Sequence, residues 1–528
     1  MRLFEVLILF SLSFSLTGFF FTRAKRPGWL RIQPMLATAC MAIHVFMEGI
    51  RWQLIPAYVL TGILCLVYFK GIIKPGNVTH SRGHLRLTRI AAGTGIFVAL
   101  LSAALAAALP VFELPKPAGP HRVGTARFYW TDTTRGEPFT PDPADHRQLL
   151  VEVWYPAEVP DEIEAVPYLP ESSHVFPPMI QLLFDYARQG GSAEWKADKS
   201  GWAPTFLLNH VSLVQSHSFK DVPVARTDSA YPVLIFSHGY LIGHVRQNTA
   251  LMEHLASHGY VIFSIAHPHE TLFWTESDGS IFTLDSKNPL MIPQRDAALA
   301  QNSDSGVAEI DAILAAHTTA EKDARLRAYL NNRVANWYGT SGRLWLDDTR
   351  FVIQEIEKLN ADRNQHFLGG RLDLSRLGVL GMSFGGKIVA RFCAEDSRCR
   401  AGLDLDGGLP LLEVLDNPPS QPMMVVYPAD REARYDLLYK RLNGSVYRVA
   451  LHGASHIHVM EFAVMLDPLL RLRSIRASKA LQIINDYALA FFDQELQGKR
   501  SLLLARPSPY KEAAFIKQER QFNRAPVN

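Results

Sequence analysis

Three residues far apart along the chain, Ser383, Asp406 and His456, are of the types that together make an alcohol into a nucleophile. Ser383 lies in Gly381-Met382-Ser383-Phe384-Gly385, a Gly-x-Ser-x-Gly string. The string alone is a weak signal, because short patterns of common residues arise by chance. Its surroundings strengthen it. Leu377 to Leu380 is a short apolar run suited to an inner parallel strand, and Lys387 to Phe392 continues as a helix. That is the strand-turn-helix setting of a nucleophile elbow. The serine at the apex is forced into a strained backbone conformation, and Gly381 and Gly385 let strand and helix approach each other. Its hydroxyl then faces helix N-terminal amides, whose partial positive charge can hold the oxyanion formed when serine attacks a carbonyl.

The other two groups follow in order. Ala401 to Gly408 reads as a short strand and its turn, with Asp404 and Asp406 as candidate acids at the end where catalytic groups of open α/β sheets gather. Asp406 is favoured because Gly407-Gly408 ends the strand there and frees the carboxylate to reach a histidine. Tyr447 to Leu451 reads as the last strand, followed by Gly453-Ala454-Ser455-His456-Ile457-His458; His456 is favoured as the base over His458 and His452. In this reading His456 takes the Ser383 proton, Asp406 holds the imidazole tautomer, and an acyl-serine forms that water releases. A further apolar strand, Pro232 to Phe236, runs into Ser237-His238-Gly239-Tyr240, the kind of loop that lends a second oxyanion donor. The two donors are assigned to the backbone N–H groups of Tyr240 and Phe384. His267-Pro268-His269-Glu270 invites a metal reading, but Pro268 breaks helical spacing between the histidines, so these read as loop residues at a pocket rim. Neither a metal nor a cofactor is assigned.

These groups need a scaffold. The chain has 528 residues, 48% hydrophobic, with a net charge of +3, which argues against nucleic acid as a main partner. Mean hydropathy is high for 20% charged residues and points to a concentrated apolar segment. Phe4 to Phe21, Met35 to Ile50, Leu54 to Phe69 and Ile90 to Phe112 are four apolar runs, read as four membrane spans. Basic residues follow the first run rather than precede it, so it reads as a retained anchor. Arg23, Lys25, Arg26 and Arg31, and later Lys70, Lys74, Arg82, Arg86 and Arg89, mark the loops expected in the cytoplasm. Everything after the Pro-rich linker is then expected on the periplasmic or extracellular side. The expected division is a transmembrane region at 1–114, a linker at 115–121 and a catalytic domain at 122–528.

Within that last region, Thr125 to Trp130 and Leu149 to Tyr155 read as an antiparallel hairpin, and Tyr260 to Ile265 as a parallel strand after a helix Asn248 to His258. Pro167 to Ala225 is irregular, with Met179 to Ala187 as its helical part. Ala297 to Leu330 reads as a helical insertion, Leu344 to Asn360 as a helix packed on the sheet, and Ala477 to Leu496 as the closing amphipathic helix. Cys393 and Cys399 flank the elbow helix's end; they could bridge in an oxidising compartment, and two free thiols are the equal alternative. The fold expected is an α/β-hydrolase, with a mostly parallel sheet and helices on both faces, preceded by an α-helical membrane domain.

Phe236-Ser237-His238-Gly239, the Ser383 elbow, Leu405-Asp406 and Gly453-Ala454-Ser455-His456, in that order, resemble the platelet-activating factor acetylhydrolase family of secreted, calcium-independent phospholipases. The likeness covers roughly Arg122 to Gly498. It implies a nucleophile at Ser383, an acid at Asp406 and a base at His456, acting on phospholipids with short or oxidised acyl chains. Met382 stands where the family often has histidine, Gly407 and Gly408 replace bulkier residues, and the N-terminal spans have no counterpart in the secreted enzymes. Those departures leave open a broad carboxylesterase or lipase acting on glycerides or polyesters. A catalytically silent, membrane-anchored lipid-binding module is the rival from another class.

Overall fold

A computed structural model describes residues 1–20, 32–73, 82–188, 205–228, 230–301, 303–335, 337–363, 366–470 and 475–519. The chain divides into two compact units, one comprising Met1–Glu113, His210–Val214 and Met465–Leu470, the other the remainder.

Among the described residues the first unit is built on four α-helices, α1 (Leu3–Thr17), α2 (Gln33–Met47), α3 (Ile55–Ile73) and α4 (Arg82–Ala108). Glu5 in the first turn of α1 accepts the Arg2 N–H at 3.0 Å, closing that helix start. Ile8, Leu12, Leu16, Leu54, Leu64 and Ala99 pack inside, while Phe10, Leu66 and Phe97 stay exposed on the outside. An apolar exterior suits helices that meet acyl chains rather than water. Segments Leu3–Phe20, Trp52–Lys70 and Leu85–Ala108 are long and apolar enough to cross a bilayer. The described part of α2 has 15 residues, shorter than those three. Polar groups collect at one end. Arg51 donates to Glu5 at 2.8 and 2.9 Å and to the Leu109 carbonyl, beyond the end of α4, at 2.6 Å. His44 near the end of α2 meets Tyr58 near the start of α3 at 2.7 Å. Successive helices therefore alternate in direction, and the chain starts and leaves this bundle at the same end.

Among the described residues the second unit contains twelve strands: β1 (Arg122–Gly136), β2 (His146–Ala157), β3 (Ser218–Lys220), β4 (Tyr231–Ser237), β5 (Val261–Ile265), β6 (Phe273–Thr275), β7 (Ile281–Thr283), β8 (Leu372–Met382), β9 (Ala401–Leu405), β10 (Met423–Pro428), β11 (Val446–Leu451) and β12 (Ala513–Gln518). Ten form one sheet in the order β12-β11-β10-β9-β8-β4-β5-β2-β1-β3, and β6 and β7 form a separate hairpin. β5, β4, β8, β9, β10 and β11 run parallel through the middle. β1 and β2 pair antiparallel, with Thr125 opposite Trp154 and Trp130 opposite Leu149.

Alternation along the inner strands builds two cores. Val233, Ile235, Val379 and Val425 face one way and pack with Trp345, Val352 and Ile356 of the helix Gly342–Ala361 and with Ile388 and Phe392 of the elbow helix Phe384–Glu395. Leu234, Phe236, Leu380 and Val426 face the other way, against Leu251 and Leu255 of the helix Thr249–Ser257 and Ile484, Tyr487 and Phe491 of the closing helix Ala477–Gln497. Burial on both faces is why these strands are almost wholly apolar. The architecture is an α/β-hydrolase fold.

Some elements went beyond expectation. Pro167 to Ala225 holds a helix Ser172–Arg188, longer than expected, a 3₁₀ segment Thr205–Leu213 and β3, while 189–204 lie outside the described residues. The insertion comprises three helices, Ile292–Gln301, Asp304–Leu314 and Thr319–Arg333. β12 was not anticipated; it follows the closing helix and pairs antiparallel with β11 at the sheet edge. Cys393 and Cys399 are joined by a disulfide.

Candidate active site

Ser383 follows β8 directly and has φ of +55°, a left-handed value that side chains rarely adopt. The strain is held by close packing around the turn. A Cβ on Gly385 would lie 2.1 Å from the Ser237 carbonyl oxygen, so only glycine lets the elbow helix reach β4. His456 begins a short 3₁₀ turn after β11. Its Nε2 stands 3.1 Å from Ser383 Oγ, and its Nδ1 stands 2.6 Å from Asp406 Oδ2. Ser383 and His456 remain partly exposed, as a group that must meet substrate requires, while Asp406 is buried.

Asp406 also has a positive φ, +54°, which turns its side chain away from the line of β9. Three side chains converge on it: His456, Arg431 at 2.8 Å on the same Oδ2, and Tyr435, whose hydroxyl donates to Oδ1 at 2.7 Å. Burial alone would push this carboxyl up; Arg431, His456 and Tyr435 outweigh it and hold it below the ordinary carboxylate range. Asp404 is placed elsewhere. Its Oδ1 accepts the Gly407 N–H at 2.7 Å and lies against Gly386, beneath the elbow helix. Burial raises the Asp404 carboxyl and lowers the neighbouring Lys387 ammonium, which donates to the Leu409 carbonyl at 2.6 Å. Of the other histidines considered, His458 turns its Nδ1 to Ser455 at 3.0 Å, and the His452 backbone N–H joins Glu512 beside β12.

The loop after β4 lies against the nucleophile: a Cβ on Gly239 would stand 3.5 Å from that of Ser383. The Gly239 N–H donates to Gln247 Oε1 at 2.7 Å, and the Leu241 N–H to the Glu270 carbonyl at 3.0 Å. Among the described residues the N–H groups of Tyr240 and Phe384, the two assigned donors, have no acceptor. Their rings meet edge to face at 5.3 Å, and Trp337 stacks on Phe384 at 4.8 Å.

His267 and Glu270 are fully buried, which corrects their placing at a pocket rim. The His267 ring stacks on Trp345 at 3.8 Å and meets Asp348 at 2.9 Å and Ser237 at 3.3 Å, so both its nitrogens are engaged. Glu270 accepts from Ser341 and, at 2.7 Å, from Trp345, and burial pushes its carboxyl up to about 7. The ligand atoms of Glu5, His44 and Glu48 in the helical unit lie within 4.8 Å of one another. Arg2 and Arg51 already neutralise Glu5, and Arg2 also approaches Glu48 at 3.7 Å, so that group fits an ion-pair network better than a cation site.

Sequence reasoning passed over Arg431, Tyr435, Gln247 and Glu270. Arg431 had a usable signal, since it sits three residues past the end of β10, at the sheet edge where functional groups collect.

A family model described as "Platelet-activating factor acetylhydrolase, isoform II" matches residues 107–298 and 344–502, more than half of the chain. A platelet-activating factor acetylhydrolase of Cavia porcellus is 24% identical over 51% of this chain; the match spans 59% of that relative's length. A probable 1-alkyl-2-acetylglycerophosphocholine esterase of Arthroderma benhamiae is 24% identical over 80% of this chain and 98% of its own. Among solved structures, a ferulic acid esterase from Streptomyces cinnamoneus superposes with a TM-score of 0.52 at 21% identity, over 77% of this chain and 100% of that one, a likeness of fold. The segment between the two family matches contains most of the helical insertion.

Proposed function

The chain belongs to the platelet-activating factor acetylhydrolase family, and from that membership we propose that it is a serine hydrolase of carboxylic esters, acting on phospholipids with a short or oxidised acyl chain. The observation that carries the mechanism is the unbroken contact from Ser383 Oγ through His456 to Asp406, at 3.1 and 2.6 Å. His456 Nε2 takes the hydroxyl proton as Ser383 Oγ bonds to the ester carbonyl carbon. The oxyanion is received by the Tyr240 and Phe384 N–H groups. His456 then gives its proton to the leaving alkoxide, here the glycerol oxygen, and an acyl-serine remains. Water, deprotonated by the same nitrogen, attacks the acyl carbon and restores Ser383. Asp406 keeps Nδ1 protonated throughout and stabilises the imidazolium.

The N-terminal helices would hold the enzyme at the membrane that supplies its lipid. The basic residues between the first and second and between the third and fourth apolar runs support a reading with the catalytic unit on the periplasmic or extracellular side. The Cys393–Cys399 disulfide suits an oxidising compartment.

A fluorophosphonate probe on the full chain in detergent tests the chemistry: it should label wild type and fail on Ser383→Ala, whose turnover should fall by roughly 10⁶-fold with folding intact. Esterase activity surviving in that variant removes the assignment. Esters of graded chain length, with and without phosphocholine, test the substrate class, and activity that ignores both features would favour a broad carboxylesterase.

A further inference from the structure

We propose that Arg431 is a positioning residue of the triad, a permanent cation that keeps His456 able to act as a base at lower pH than an aspartate and histidine alone would allow. The proposal rests on the reading of Ser383, His456 and Asp406 as a catalytic triad.

Arg431 ends the 3₁₀ turn Ala429–Arg431 that follows β10, so its origin is independent of the strands that bring the three triad members. Its Nη1 reaches Asp406 Oδ2 at 2.8 Å and stands 3.5 Å from His456 Nδ1. Both nitrogens are donors, and they converge on one carboxylate oxygen. A neutral imidazole tolerates this neighbour. An imidazolium does not to the same degree, because a second positive charge then sits against the guanidinium at a separation where screening by bulk water is incomplete. Asp406 stabilises the charged ring and Arg431 opposes it, so the protonated resting form of the enzyme is disfavoured by the arginine.

The remaining groups around the pair do not replace this effect. From the elbow helix come Ser383 and the Lys387 ammonium, which acts on Asp406 but is bonded to the Leu409 carbonyl. β9 contributes Asp404, engaged with Gly407. The helix Glu432–Tyr439 contributes Tyr435, which donates to Asp406 Oδ1, and Tyr439 behind it. On the turn that carries His456, His458 faces Ser455. Among the described residues Arg431 is the cation placed directly against both members of the pair, and with 35% of its side chain exposed it can be replaced without opening the core.

The test is the pH dependence of kcat/KM, or of fluorophosphonate labelling of Ser383, for the full chain in detergent as wild type, Arg431→Gln and Arg431→Lys. The acid limb of Arg431→Gln should move upward by about one pH unit. Arg431→Lys, which restores the charge, should return it toward the wild-type position. An unmoved limb overturns the proposal, whether the rate is unchanged or falls evenly at every pH. A wild-type chain inert to the probe at every pH would instead remove the triad reading itself, and the proposal with it.

Discussion

Replacing Asp406 and Asp404 separately by asparagine separates two carboxylates that lie two residues apart. In Asp406→Asn the group lost is the counter-ion of the imidazolium. At 2.6 Å and an effective dielectric of about 20, that attraction amounts to roughly 6 kcal/mol. His456 is 34% exposed, and solvent screening lowers the figure to the order of 5 kcal/mol, or about 10⁴-fold in rate. The new amide would turn its oxygen toward Arg431 and His456, both donors, and its NH₂ toward the Tyr435 hydroxyl, which can accept. The imidazole tautomer therefore survives, and the loss comes from charge; kcat should fall by about 10³- to 10⁴-fold with little change in KM. In Asp404→Asn the amide oxygen still accepts the Gly407 N–H, and no contact to His456 is lost. That variant should stay within about ten-fold of wild type. Steady-state kinetics on a soluble short-chain ester, with circular dichroism to verify folding, measures both. Comparable losses, or the greater loss at Asp404, would refute the assignment of the acid.

Two further expectations concern the scaffold. Gly385→Ala would drive a Cβ to 2.1 Å from the Ser237 carbonyl oxygen and 2.7 Å from that of His238, both backbone atoms that cannot step aside; thermal unfolding should show a loss of about 3 kcal/mol or failure to fold, and an unchanged midpoint would refute the close-approach argument. Glu270 has its folded-state carboxyl raised to about 7 by burial, so the folded protein holds that proton where the unfolded chain has released it, and this site's contribution to stability declines as pH rises from about 4.5 to about 7. Glu270→Gln should therefore gain stability relative to wild type across that window, by at most the order of 3 kcal/mol, when melting temperatures at pH 5 and pH 8 are compared. An equal difference at both pH values would place the titration elsewhere.

Local pattern determined a good deal by itself. The elbow, the apolar inner strands and the order serine, aspartate, histidine were legible because each rests on neighbours in the chain: glycines that permit a sharp turn, side chains alternating between two buried faces, turn residues that stop a strand. Tertiary structure decided the rest, because it depends on distances that no local spacing encodes. Alternation alone would put Asp404 and Asp406 on one face; the left-handed backbone at Asp406 parts them, sending one carboxylate to His456 and leaving the other under the elbow helix. Arg431 and Tyr435 become partners of the acid only because β10 lies beside β9. Glu270 reads as an ordinary loop carboxylate until Ser341 and Trp345, more than seventy residues onward, enclose it. β12 is weakly patterned and gains its conformation from the open edge of β11, whose backbone hydrogen bonds it completes.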